Sequence, residues 1–294
     1  MDDLGPLSVH LQQLAYLREV ERGGTFTEAA RRLHVSQPAL SQSLADLERR
    51  VGLPLFEARG RRRELTEVGR EAARFASEVL GRTVEFREWV EAYREGGAGT
   101  LTVGMIDAAS LYALPDAVRR FRQQHPEVRL QLIVDTSAAL VERLQRYELD
   151  LAFVVAPVTG EFDAVEVGRE PLHIYAPQGD DRSPEEADWV LYPVGSHTRQ
   201  QIDEGLARLG VVPRVTLESH NPQVLRQMVE LGFGWSVLPP AVAGDGGQLR
   251  QGRRVAERTL LGLRRRATTL DPRASAFLDV AVRRDGSAGD DRRT

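Results

Sequence analysis

The chain has 294 residues and a net charge of −4, with arginine as its only basic side chain and no cysteine. Without cysteine there are no disulfides, thiolate metal sites or cysteine nucleophiles. A composition of 41% hydrophobic and 28% charged residues suits a globular chain of two or more domains. The charge excludes an overall attractive field for nucleic acid, so any such contact must come from a local patch. The acidic start, MDDLGPLSVHLQQL, has no secretory pattern, and no window approaches the ~20 apolar residues that cross a membrane. A cytoplasmic location without membrane contact is therefore expected.

Leu11, Leu14, Leu17 and Val20 recur at helical spacing, and Gly23-Gly24 ends that helix. Residues 25–50 read as two short helices joined tightly. Thr25 and Glu28 have capping-box spacing, Ala29, Ala30 and Leu33 follow on one face, and Ser36 caps the next helix. Pro38 stands in its first turn, where a missing N–H costs little. Leu40, Leu44, Leu47 and Val51 form its buried stripe, while Ser36, Gln37, Ser41 and Gln42 make a polar face. Short polar side chains on a second helix suit base edges in a major groove, although an ordinary helical hairpin carries the same pattern. Directly afterwards, Arg59, Arg61, Arg62 and Arg63 surround Gly60. That turn reads as a wing set against phosphates rather than as a solvated charge run.

From Thr66 to Glu95 one helix carries Val68, Ala72, Phe75, Val79, Thr83, Phe86, Val90 and Tyr93 at steps of four or three. A heptad seam of that length needs a partner, most simply the same helix of a second copy, through Phe75, Val79, Phe86 and Val90. Gly96-Gly97-Ala98-Gly99 is the clearest domain boundary. Beyond it, β-branched runs at 100–106, 128–134, 150–155, 172–177, 189–194, 214–219 and 235–240 alternate with helical stretches. Such alternation predicts parallel sheets with crossover helices, in two lobes flanking a cleft. A strand near 255–263 and a helix near 272–284 close the fold, and the tail RRDGSAGDDRRT is expected to be disordered.

The motifs GGTFTEAARRLHVSQPALSQSLADLERRVGLPLFE, GRRRELTEVGRE and LGFGWSVLPP make the chain similar, over essentially its whole length, to LysR-type transcriptional regulators. The resemblance implies an α/β protein with an N-terminal winged helix-turn-helix and a long linker helix. Two Rossmann-like subdomains resembling periplasmic binding proteins would follow. The expected boundaries are 8–66 for the DNA-binding domain, 67–95 for the linker helix, 96–99 for a hinge and 100–284 for the effector-binding domain. The last divides into 100–160 plus 255–284, and 161–254, with 285–294 as tail. The DNA-binding set is Thr25, Ser36, Gln37, Pro38, Ser41, Gln42, Arg59, Arg61, Arg62 and Arg63. Expected partners are double-stranded promoter DNA, a small-molecule effector, RNA polymerase, and further copies of the chain in a homodimer or homotetramer. Ala45, Asp46, Ala58 and Glu64 depart from the family pattern in ways that reduce phosphate contacts.

In such lobes ligands bind where strand ends meet helix starts. Asp107, Ser110, Thr136, Ser137, His197, Thr198, His220 and Asn221 occupy four such junctions. Helix N-termini favour anions, so a small organic acid is expected as effector. The Asp107 carboxylate would either repel it or pair with an amino group. Ser, Thr and Asn at helix starts also serve simply as caps. The six histidines lack metal-binding spacing, and no nucleophile elbow, P-loop or dinucleotide fingerprint occurs. No catalytic residue, metal or cofactor is expected, and the chain reads as a regulator rather than an enzyme. A regulator with an unoccupied cleft, or a solute-binding protein, are the alternatives.

Overall fold

The computed structural model describes residues 9–23, 25–59, 62–94, 99–244, 249–266 and 271–282. Two compact units meet in the sequence at Arg94 and Glu95. The expected hinge residues 96–98 and the tail 285–294 lie outside the described residues.

In the first unit, α1 (Leu11–Gly23), α2 (Phe26–Arg32) and α3 (Gln37–Val51) form a three-helix core. Leu14, Leu17, Val20, Ala29, Ala30, Leu40, Leu44 and Leu47 are buried there, whereas Leu11 at the start of the stripe is half exposed. Thr25 caps α2, its Oγ1 accepting from Glu28 N at 3.2 Å and donating to the Glu28 carboxylate at 2.8 Å. The acid thus closes the box on the hydroxyl. His34 takes a left-handed φ of +54° to turn the chain, and Ser36 Oγ accepts from Ala39 N at 3.3 Å to start α3. Gly52, at φ +75°, ends α3 in the same left-handed region.

An antiparallel hairpin follows, β1 (Phe56–Arg59) paired to β2 (Arg62–Leu65). The Glu48 carboxylate accepts from Leu55 N and Phe56 N at 2.9 and 3.1 Å, tying the end of α3 to the hairpin. The long helix α4 (Glu67–Arg94) packs on α1 through Ala73, Ala76 and Leu80. Gly69 lies so close to the Leu55 carbonyl that a Cβ would stand 2.0 Å from its oxygen.

The second unit opens with β3 (Gly99–Met105), a π-turn at Ala109–Ala113, α5 (Pro115–Gln124), β4 (Val128–Val134), α6 (Ser137–Gln145) and β5 (Leu151–Val155). Next come β6 (Phe162–Pro177), β7 (Asp188–Leu191), α7 (His197–Arg208), β8 (Arg214–Glu218) and α8 (Pro222–Glu230). The unit ends with β9 (Ser236–Leu238), α9 (Pro240–Ala243), β10 (Leu249–Arg265) and α10 (Pro272–Val282). Strand order is β4-β3-β5-β10-β6-β9 in one sheet and β7-β8 in another, with an isolated bridge from Trp189 to Trp235 between β7 and the β9 side.

The expectation of parallel sheets holds for β4-β3-β5 and β7-β8 and needs correcting elsewhere. β6 and β10 pair with each other antiparallel over nearly their whole lengths and join both lobes. Val167, Leu260 and Leu263 enter the core of the first lobe, while Leu172, Ile174 and Val255 enter that of the second. The expected short strands at 172–177 and 255–263 are thus the distal parts of 16- and 17-residue strands. A strand crossing from one lobe to the other changes its buried face on the way, so no single alternation marks it.

Candidate functional site

Two surfaces carry the residues singled out by sequence. In α3, Ser36, Gln37, Pro38 and Gln42 are exposed and Ser41 is half-buried, at and around the helix start, while Leu40, Leu44 and Leu47 are buried. Thr25 is half-buried as a cap. Arg59 is 78% exposed and pairs with Glu64 across the hairpin at 3.0 Å. Arg63 is tied into the unit as well. It stands 3.6 Å from Glu48 and its guanidinium lies 5.4 Å from the ring centres of both Phe26 and Phe56. That cation–π stacking gives it a structural task in joining hairpin to helices. Arg61 and the side chain of Arg62 lie outside the described residues.

Along α4 the heptad seam and the face packed on α1 are different faces. Val68 and Phe75 are exposed, at 36% and 53%, while Val79 and Val90 are half-buried and Phe86 is exposed. Among the described residues Ala72 and Val79 of the seam pack partly against this unit's core, while Val68, Phe75 and Phe86 remain exposed.

The second unit holds a cleft of about 500 Å³ between its lobes. Asp107, Thr136, Ser137, His197, Thr198 and His220 line it as expected; Ser110 and Asn221 do not. Ser110 lies inside the π-turn, its hydroxyl donating to the Asp107 carbonyl at 2.9 Å, so it is not a helix start at all. Asn221 caps α8, its Oδ1 accepting from Gln223 N at 2.9 Å and from Val224 N at 3.4 Å.

Several lining groups are already committed to the fold. Thr136 Oγ1 accepts from Ala139 N at 3.3 Å, and Ser137 Oγ accepts from Val155 N at 3.2 Å. His197 Nδ1 lies 3.1 Å from the Val155 carbonyl, a contact in which the Nδ1–H donates. Asp107 closes β3 facing His220 and Asp135. Its carboxyl pKa is raised by burial and, further, by Asp135, with His220 opposing.

The floor holds what the sequence did not disclose: Tyr192, after β7, and Arg258, on β10. Arg258 is 1% exposed, and its Nε donates to Glu170 at 2.7 Å, the residue directly opposite on β6. Nη1 reaches Thr198 Oγ1 at 3.4 Å. Burial disfavours its charge, but Tyr192 and Glu170 beside it keep the guanidinium pKa above its ordinary value. Burial likewise raises the Tyr192 phenol, which Arg258 opposes. Arg258 lies in ERTLLGLRRR, where it looks like any strand arginine. Its one-to-one register with Glu170, 88 residues away, is what buries it. Among the described residues no group of His, Asp or Glu is placed to hold a metal ion.

The family profile for the LysR substrate binding domain matches residues 94–285, and that for the bacterial regulatory helix-turn-helix protein, lysR family, matches residues 11–70. The RuBisCO operon transcriptional regulator of Allochromatium vinosum is 30% identical over 243 residues, covering 79% of this chain and 80% of its own. The transcriptional regulator cbl of Escherichia coli is 27% identical over 253 residues, covering 81% and 79%. Among solved structures, a full-length OxyR variant from Pseudomonas aeruginosa superposes with a TM-score of 0.66 at 25% identity, covering 93% of this chain and 97% of that one. CbnR in complex with its target DNA superposes at 0.65 with 22% identity, covering 93% and 99%, which bears on the fold alone.

Proposed function

Because this chain belongs to the LysR family of DNA-binding transcriptional regulators, we propose that a small polar effector bound in the inter-lobe cleft sets how it engages promoter DNA. The carrying observation is the cleft itself, lined from the first lobe by Asp107, Thr136 and Ser137 and from the second by His197, Thr198 and His220. A ligand touching both lobes favours one lobe orientation. It alters DNA engagement only by the difference in its affinity for the two arrangements.

In this reading Ser36, Gln37, Pro38, Ser41 and Gln42 enter the major groove, and Arg59 with the neighbouring wing arginines sits against phosphates. The exposed seam of α4 pairs two copies, placing two reading heads on a palindromic site. Effector binding then acts on transcription by RNA polymerase at that promoter, in the cytoplasm, without catalysis by this chain.

The test is a thermal-shift screen of organic acids, amino acids and sugars, followed by promoter-binding assays with each stabilising compound. The expected result is a compound that stabilises the wild type, alters promoter binding, and loses both effects in Thr198→Val. A compound that stabilises both proteins equally binds outside the cleft, and that result would remove the reading.

A further inference from the structure

The cleft wall carries side chains of both charge signs, Arg258 and Asp107. At its floor the Arg258 guanidinium stands beside the hydroxyls of Tyr192 and Thr198, all three on the cavity wall. The Nε–H is spent on Glu170, but the Nη1 bond to Thr198 is long, at 3.4 Å. Nη2 lies 2.7 Å from a Glu170 oxygen and the Tyr192 hydroxyl stands beside the guanidinium, yet among the described residues neither atom has a partner in good hydrogen-bonding geometry. Buried polar groups are nearly always satisfied, so unspent groups on a cavity wall mark where an acceptor belongs. A planar guanidinium flanked by hydroxyls matches the two oxygens of a carboxylate.

Asp107, which follows β3 in the first lobe, also lines the cleft. Its neighbour Asp135 is occupied, accepting from Thr136 N at 2.8 Å and facing Arg143 at 3.9 Å. No hydrogen bond reaches the Asp107 carboxylate among the described residues. A half-buried carboxylate without a donor calls for a cation, and it would repel a ligand that carried negative charge alone.

We propose that the cleft binds a small zwitterion of the amino-acid class, its carboxylate on Arg258, Tyr192 and Thr198 and its ammonium on Asp107. This inference rests on the cleft being the effector site. It also resolves the double role that Asp107 poses for a simple anion. Asp107 belongs to the first lobe, Tyr192 and Thr198 to the second, and Arg258 to the strand crossing between them. One ligand holding both charged groups therefore fixes the lobes relative to each other. A carboxylate without the amine brings no cation to Asp107, and an amine without the carboxylate brings no acceptor to Arg258 Nη2 and the Tyr192 hydroxyl.

The probes are the twenty L-amino acids, each with its deaminated carboxylate and its decarboxylated amine, titrated onto the full chain with melting temperature as readout. The expected result is at least one amino acid that stabilises the protein where neither of its two counterparts does. Asp107→Asn and Thr198→Val should each weaken that binding about tenfold or more. Tyr192→Phe should weaken it less, with the ring left to fill its place. If Arg258→Gln does not fold, these three variants still decide the matter. A deaminated acid binding as tightly as its amino acid, and equally to Asp107→Asn, overturns the zwitterion and leaves the cleft as effector site. Amines that bind without their carboxylate, untouched by Thr198→Val, do the same. A hit that stabilises wild type, Asp107→Asn and Thr198→Val alike sits elsewhere and removes the cleft reading as well. No stabilisation by any probe also overturns the zwitterion.

Discussion

In α3 the residues Gln37, Pro38 and Gln42 stand exposed on a helix in which Leu40, Leu44 and Leu47 are buried. At the inter-lobe cleft Thr198 and Arg258 line the wall and are buried, as is Glu170, which pairs with Arg258, and each leans on another from a different element. The helix face is built by one stretch of chain and can be altered without touching the core beneath it. The cleft floor is built from β6, β10, α7 and the segment after β7, and each group there helps hold its neighbours. Changes on the first surface should therefore alter recognition alone, and changes on the second should alter folding and recognition together.

The largest effect should come from splitting the Arg258–Glu170 pair. Arg258→Met leaves a buried carboxylate uncompensated and should cost about 3–5 kcal/mol, while adding Glu170→Leu should recover most of it. Urea unfolding of the single and double variants measures both. If the single change costs less than about 1 kcal/mol, the floor is not the interdependent structure described here.

The seam of α4 stands between the two cases, exposed within one chain yet apolar. Phe75→Asp should leave the helix folded, because that side chain is 53% exposed. It should weaken self-association by about 3 kcal/mol, since the partner would bury the charge. Sedimentation at micromolar concentration should find monomer where the wild type is dimeric. A variant that stays dimeric places the interface on another surface.

On the reading helix, Gln37→Ala should lose about 1–3 kcal/mol on the specific site and far less on random DNA. Its melting temperature should not move. Equal losses on both DNAs would reassign Gln37 to the backbone. The smallest effect is expected at the wing. Arg59→Ala should weaken specific and random DNA alike and flatten the salt dependence by about one unit of slope. An unchanged slope would show that Arg59 remains with Glu64 on DNA.

The first unit was legible from sequence because its determinants are near neighbours. Caps three residues from their targets, a leucine stripe and a glycine stop act within a turn or two. The contacts of Arg63 were not readable there, because its partners Glu48, Phe26 and Phe56 come from three different elements. In the second unit the alternation of strands and helices was readable, and six of eight proposed cleft residues line the cavity. The two that do not, Ser110 and Asn221, were chosen by residue type at a helix start. That criterion cannot separate a cap from a ligand contact.

By itself the sequence determined the order of elements, the polar face of α3, the apolar seam of α4 and the loops that meet in the cleft. All of these follow from periodicity and short-range hydrogen bonding, which need no knowledge of distant chain. Only the tertiary structure decided that β6 and β10 run through both lobes, that Glu170 faces Arg258, and that Tyr192 and Thr198 close around that guanidinium. Register between strands nearly ninety residues apart is set by the packing of two cores at once. A buried charge is recognisable only when its counter-charge and its cavity are both in place.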